Sequence, residues 1–267
     1  MRRASVAVAV LLAVAMAPDP AAAGMADRIG GTFTLMADDF IQAFQPVEGI
    51  VVSLEGDEIF LDIGAARGGQ VGQEYTIFRK GAPFLHPLTG RPLGRYEDVL
   101  GYAQIVRVHP QYSEALFVPA EGKAPVQPED GARITKGRIR VALAPATDLT
   151  KANADLRRVP FMLAHALELT KRFQVADPST VQEHLLSQKT RSEELLVSPG
   201  KARTSGKTLE VTGWLVPVLI ERRGITYLDV TWVSAVTGTA LFSRRAALSR
   251  SEGSAEQRFP WEPLPTD

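Results

Sequence analysis

The sequence predicts an α+β chain, with a small β-barrel followed by an α/β domain built on a mixed sheet. Three observations predict it. Between residues 46 and 137, short segments of alternating polarity are separated by Gly- and Pro-bearing turns, with no helical period between them. From 138 to 250, helical and strand-like segments alternate before three consecutive strands close the pattern. The chain also has no cysteine, so disulfides and Cys-based metal or redox sites are excluded and the fold must rest on core burial.

The amino terminus carries Arg2 and Arg3, then a small and apolar run from Ala4 to Ala17, then Ala21, Ala22 and Ala23 before Gly24. This is the layout of a secretory signal, with cleavage expected near Ala23. The apolar run is shorter than the roughly 20 residues a spanning helix needs, and no later run is longer. The mature chain is therefore expected in the periplasm and not spanning a membrane. Without a cysteine after the cleavage point, no lipid anchor is expected. Removing Arg2, Arg3 and Asp19 from 30 basic and 30 acidic side chains leaves 28 and 29, a formal charge of −1. These charges are interspersed, without the basic stripe by which nucleic-acid binders neutralise phosphates, so no nucleic-acid partner is expected.

Residues 24–45 read as an amphipathic leader helix. Phe33, Met36, Phe40 and Phe44 fall at spacings of three and four, which places them on one stripe, expected to pack on the domain that follows. From Gly49 the period becomes two. Ile50 and Val52, then Ile59, Leu61 and Ile63, alternate against polar neighbours around Glu55-Gly56-Asp57-Glu58, a β-hairpin signal. Further strands are expected at 74–79, 102–108, 114–118 and 132–135, with Pro119–Gly131 as a loop inside the barrel.

In the second domain Ile139–Leu143 reads as a strand. Pro160 stands near the start of a helix whose apolar face is expected to hold Phe161, Ala164, Leu167 and Leu169, since proline fits the first turn, where its missing N–H costs nothing. A strand at 173–176, helices at 178–188 and 201–209, and strands at 211–220, 225–236 and 239–248 complete the domain. The tail 251–267 is polar and then Pro-rich and is expected to be largely disordered. Its aromatic pair, Phe259 and Trp261, is the candidate partner-binding feature.

No motif brings chemistry together. The histidines at 86, 109, 165 and 184 never fall at i, i+4 around a glutamate, so no metal site is expected. Gly206-Lys207-Thr208 lacks the phosphate-loop spacing, because five residues instead of four separate Gly200 from Gly206, so no nucleotide is expected. Gly64, Gly68, Gly69 and Gly72 join strand to strand and read as turn-makers. Ser198-Pro199-Gly200-Lys201 has the spacing of a serine activated by lysine, but its Pro-Gly pair points to a loop and its companion motifs are missing. No catalytic residue, cofactor or metal is expected.

Two sets of residues carry a family resemblance. Val47-Glu48-Gly49-Ile50-Val51, Phe60-Leu61-Asp62-Ile63-Gly64, Val71-Gly72, Phe78-Arg79-Lys80-Gly81, His86-Pro87-Leu88-Thr89-Gly90, Leu93-Gly94 and Ser113-Glu114-Ala115 resemble the SH3-like β-barrel of the flagellar assembly protein T family. Val141-Ala142-Leu143-Ala144-Pro145, Arg172 to Asp177, Gly213-Trp214-Leu215 and Ser234 to Gly238 resemble the α/β domain shared by the TolB amino-terminal region, curli-secretion channel proteins and the middle of that flagellar family. In the flagellar family the barrel comes last, whereas here it comes first.

The resemblance implies a non-enzymatic periplasmic assembly or scaffold factor of an envelope-spanning machine, such as a flagellar basal body, a pilus or a secretion apparatus. Its implied partners are envelope proteins, including peptidoglycan-associated ones, and ring-building relatives leave a homo-oligomer open. The alternatives are a regulator of peptidoglycan synthesis, since outer-membrane activators of penicillin-binding proteins use a related α/β domain, or a glycan- or ligand-binding periplasmic module.

Overall fold

The computed structural model describes residues 20–150 and 154–248, with the backbone alone at 20–23. The expected signal segment up to Asp19 and the tail with Phe259 and Trp261 lie outside the described residues. The chain has an α+β fold.

Helix α1 (Pro20–Ala43) leads into the barrel strands β1 (Glu48–Glu55), β2 (Glu58–Leu61), β3 (Glu74–Leu85), β4 (Pro92–Val108), β5 (Ser113–Pro119) and β6 (Gly131–Arg133). The barrel closes in the order β1-β2-β5-β4-β3-β6, with β6 returning to β1. Gly56 and Asp57 form the two-residue loop of the first hairpin, where Gly56 takes a φ of +61° that a side chain would resist. Val51, Leu61, Ile63, Tyr75, Ile77, Leu100 and Ile105 fill the interior. Pro119–Gly131 runs from β5 to β6 and is bonded to β1 through Val51 N–H to Asp130 O at 2.8 Å.

Three strand-level expectations are corrected. In β1 the inward residue is Val51, while Ile50 and Val52 are half-exposed, because three consecutive apolar residues leave the phase of the period-two pattern open. A bulge follows between Val51 and Ser53. Strands β3 and β4 also run far beyond the predicted 74–79 and 102–108. Finally, positive φ explains only Gly68 and Gly72 of the glycine cluster. A Cβ on Gly64 would stand 2.5 Å from backbone atoms of Gln111 and Tyr112, so close approach excludes a side chain there.

The second sheet has the order β12-β11-β10-β7-β9, with β8 (Thr147–Asp148) beside β10. Its strands are β7 (Ile139–Leu143), β9 (Phe173–Val175), β10 (Gly213–Arg222), β11 (Ile225–Ser234) and β12 (Ala240–Ala247). β7 pairs in parallel with β9 and β10, and β10 to β12 form an antiparallel meander, so the sheet is mixed. The helices are α2 (Val159–Leu169), α3 (Pro178–Ser187), α4 (Glu194–Val197) and α5 (Pro199–Thr208).

Both faces of this sheet are buried, and the alternation along its strands divides them. Val141, Leu143, Leu215, Val230 and Trp232 face α1 and α2, whereas Ala142, Ala144, Trp214, Val216 and Val233 face α3, α4 and α5. Trp214 donates its indole N–H to Ala202 O of α5 at 3.0 Å.

The leader helix therefore packs on the distant domain and not on the barrel that follows it in sequence. Phe33, Met36, Phe40 and Phe44 are all buried in the α1/α2 layer, where Phe44 meets Trp232 at 4.2 Å and Phe40 meets Phe242 at 5.4 Å. The barrel is thus inserted between a helix and the sheet that the helix covers.

The face of α2 is corrected too. Val159, Pro160, Leu163, Ala164 and Leu167 are buried, while Phe161 and Leu169 are exposed, because positions 160, 163, 164 and 167 form one stripe at spacings of three and four from which 161 and 169 are turned away. Pro199 and Gly200 form the first turn of α5 rather than a loop. Proline is suited to that position.

Candidate functional site

Beyond the barrel wall, β3 and β4 continue as a two-stranded ribbon. Lys80 lies opposite Glu97, Pro83 opposite Arg95, Phe84 opposite Gly94 and Leu85 opposite Pro92. β6, the other neighbour of β3, pairs with it only at Thr76–Phe78, so among the described residues no third strand extends along the ribbon. Phe84, Leu85, Leu88, Leu93 and Tyr96 are exposed, Leu88 at the tip to 90%. Solvent-exposed large apolar side chains are ordinary singly, but five on one projecting element mark a contact surface.

Charge is sorted along the ribbon. At its base Arg133 holds Glu97 through two bonds of 2.9 and 2.6 Å, while its guanidinium lies 4.3 Å from the Phe78 ring centre. The Arg133 hydrogen bonds hold the Glu97 carboxyl below the usual carboxylate range. Lys123 meets Asp98 at 2.6 Å and Lys80 meets Glu48 at 3.3 Å. From Gly81 to Tyr96 the sequence contains Arg91 and Arg95 and no acid.

Two hydrogen-bonded clusters, one buried and one half-exposed, fix the barrel on the α/β domain, and so set where the ribbon points. In the first, Glu74 at the start of β3 accepts from Ser234 Oγ at 2.9 Å, Gln104 Nε2 at 3.0 Å and Thr237 Oγ1 at 3.1 Å. Burial raises the Glu74 carboxyl above its ordinary range, and the three hydrogen bonds oppose that shift. In the second, the Arg172 guanidinium donates to Phe44 O at 2.7 Å, Gly137 O at 2.5 Å and Thr135 O at 2.7 Å, tying the end of α1 to the barrel exit. Gly72 seals the joint. A Cβ there would lie 2.7 Å from Leu241 O of β12.

The other sequence-predicted residues are placed as follows. Lys201 bonds Glu194 Oε2 at 2.9 Å instead of Ser198, so the serine-lysine pair does not form. Gly206 packs α5 onto Ala235, where a Cβ would come within 2.5 Å of the Ala235 Cβ. His109 stacks on Tyr112 at 4.2 Å and meets Glu114 Oε1 at 2.7 Å. A groove of about 520 Å³ lies between α1 and α2, lined by Ala37, Ile41, Met162 and Leu169 with Asp38 and His165 at its rim. Among the described residues no three His, Asp or Glu side chains cluster as metal ligands, and no helix is long and apolar enough to cross a membrane.

No protein-family model matches the chain. A protein of Aquifex aeolicus (strain VF5), described as uncharacterized, is 26% identical over 109 residues, which is 40% of this chain and 21% of that protein. Among solved structures, the LpoB C-terminal domain from Escherichia coli is 13% identical with a TM-score of 0.36, covering 43% of this chain and 86% of that one. Lipoprotein GNA1162 from Neisseria meningitidis is 17% identical with a TM-score of 0.33, covering 44% of this chain and 85% of that one. The chain thus spans about a fifth of the Aquifex relative's length.

Sequence reasoning missed both the ribbon and the joint. The alternation Phe84-Leu85 and Leu93 to Tyr96 around the His86–Gly90 turn is a hairpin signal, but Pro83, Pro87 and Pro92 mask it. Nothing in the sequence pairs Glu74 with Ser234, 160 positions away.

Proposed function

We propose that the chain is a non-enzymatic docking module of the bacterial cell envelope, exported to the periplasm, which acts on envelope proteins by contact. The observation that carries this reading is the ribbon: an apolar, acid-free element that continues beyond the barrel wall while the Glu74 and Arg172 clusters fix its direction. Such an element presents a surface and does not enclose a substrate. A rigid display of this kind reduces the ordering cost of association, which supports a binding role.

Of the envelope roles weighed from the sequence, we take forward the alternative, regulation of peptidoglycan synthesis, ahead of the flagellar assembly that the resemblance implies. The barrel of this chain is inserted between α1 and the sheet that α1 covers, an arrangement unlike a terminal barrel appended to a flagellar protein. A homo-oligomer is compatible with this reading.

Capture from a native envelope fraction tests it. The mature chain is expected to recover envelope material containing a peptidoglycan-associated or cell-wall-synthesis protein, and a ribbon variant carrying Leu88→Asp and Leu93→Asp is expected to recover much less. Equal recovery by both chains, or recovery of nothing above background, would sink the proposal.

A further inference from the structure

We infer that the ribbon tip, residues 81–96, inserts into the interface of an anionic lipid surface. The inference rests on the docking reading above and deepens it: the ribbon would hold the chain on the membrane that carries the envelope proteins it acts on, so that envelope material captured through the ribbon is membrane together with those proteins.

The first reason is that exposed apolar side chains crowd the end of the ribbon. Phe84 and Leu85 are about half-exposed, at 46% and 48%, Leu93 and Tyr96 are exposed further, and Leu88 in the turn is exposed to 90%. The Phe84 ring meets Tyr96 edge-on at 5.6 Å. The register of β3 against β4 slips between Phe84 and Leu85, so these side chains form no single regular face for a flat partner, and a lipid interface accommodates such an irregular tip.

The second reason is the backbone of the turn. An apolar medium penalises a bare N–H, so donors satisfied within the turn lower the cost of entering a lipid interface, where water at the headgroup level still serves the carbonyls. Here His86 N–H donates to Arg91 O at 2.9 Å and Gly90 N–H to His86 O at 2.9 Å. Leu88 and Thr89 N–H both donate to His86 Nδ1, at 3.2 and 3.3 Å, and Arg91 N–H donates to Thr89 Oγ1 at 3.5 Å. Pro87 has no N–H to satisfy. Every amide donor from His86 to Arg91 therefore has a partner inside the turn, although the segment lies at the most exposed point of the ribbon.

The third reason is charge. Arg91 and Arg95 flank the apolar tip, no acid occurs from Gly81 to Tyr96, and the acids at the base are each paired with a cation. Basic side chains beside an inserting apolar segment are drawn to anionic headgroups, and Tyr96 has the amphipathic ring that suits the headgroup level. The depth required is small, since interfacial segments bury only about 5–10 Å.

Flotation of the mature chain with vesicles of phosphatidylglycerol and phosphatidylethanolamine, compared with phosphatidylcholine alone, tests the inference. Binding is expected to the anionic vesicles and to weaken with added salt. It should fall at least tenfold for Leu88→Asp, whose side chain packs on nothing, and for the pair Arg91→Glu and Arg95→Glu. Leu186→Asp, an exposed leucine on α3, should bind as the parent chain does. Absence of binding to anionic vesicles, or equal binding by Leu88→Asp, overturns the lipid assignment. If a photo-crosslinker at position 88 instead gives a discrete protein adduct in an envelope fraction while vesicles fail, the lipid partner is refuted and the docking reading stands. Failure of both refutes the two together.

Discussion

Replacing Phe40 by alanine tests whether α1 belongs to the distant α/β domain. Phe40 is fully buried, with ring centres 6.1 Å from Phe33 and 5.4 Å from Phe242 of β12. Truncating a buried phenylalanine removes its transfer free energy and leaves a cavity, at a cost of about 3–5 kcal/mol. At about 2–4 °C per kcal/mol for a domain of this size, the melting temperature should fall by roughly 6–20 °C. Urea unfolding followed by tryptophan fluorescence in a Trp261→Phe background reads the right domain, because the two remaining tryptophans, Trp214 and Trp232, both lie in the α/β sheet and the barrel strands contain none. Leu61→Ala, in the barrel interior, serves as the contrast. A loss under about 1 kcal/mol in the tryptophan-detected transition, the level of an ordinary surface change, would refute the packing account.

Three further outcomes follow. Glu74 has a carboxyl raised by burial, so its contribution to the joint is fully present below the ordinary carboxylate range and is lost as pH rises through the raised value; Glu74→Gln should flatten the stability-pH curve in that window, and an unchanged curve would exclude Glu74 as its source. Gly213→Ala would place a Cβ 2.0 Å from Trp232 Cζ2, and denaturant titration should show a loss of about 1–3 kcal/mol from overpacking. Asp177 caps α3 by accepting from Thr180 N–H at 2.9 Å and Thr180 Oγ1 at 3.1 Å, so Asp177→Ala should cost about 1 kcal/mol, whereas Asp177→Ser should restore most of it.

What the sequence disclosed depended on how local each signal was. The stripe of Phe33, Met36, Phe40 and Phe44 identifies the buried face of α1, but periodicity names a face and not its partner, and the partner is more than 90 residues away at Val141, Leu215 and Trp232. The Gly56-Asp57 hairpin was legible because turn chemistry is carried by adjacent residues. The phase of β1 was not, since Ile50-Val51-Val52 reads the same in either register. In the ribbon, three prolines suppress the strand signal although a two-stranded edge tolerates them, because a missing N–H that faces solvent breaks no ladder bond. The joint at Glu74 was invisible because two of its partners, Ser234 and Thr237, lie 160 and 163 positions away, beyond the reach of any local pattern. Phe259 and Trp261, the predicted contact residues, lie outside the described residues, and the proposed contact surface is the ribbon of β3 and β4.

Hydrogen exchange of the mature chain, with and without a native envelope preparation, tests the central claim most directly. The account predicts added protection concentrated at residues 81–96, with the barrel wall and the α/β sheet unchanged. Protection spread over another surface, with residues 81–96 exchanging as in the free chain, would contradict it.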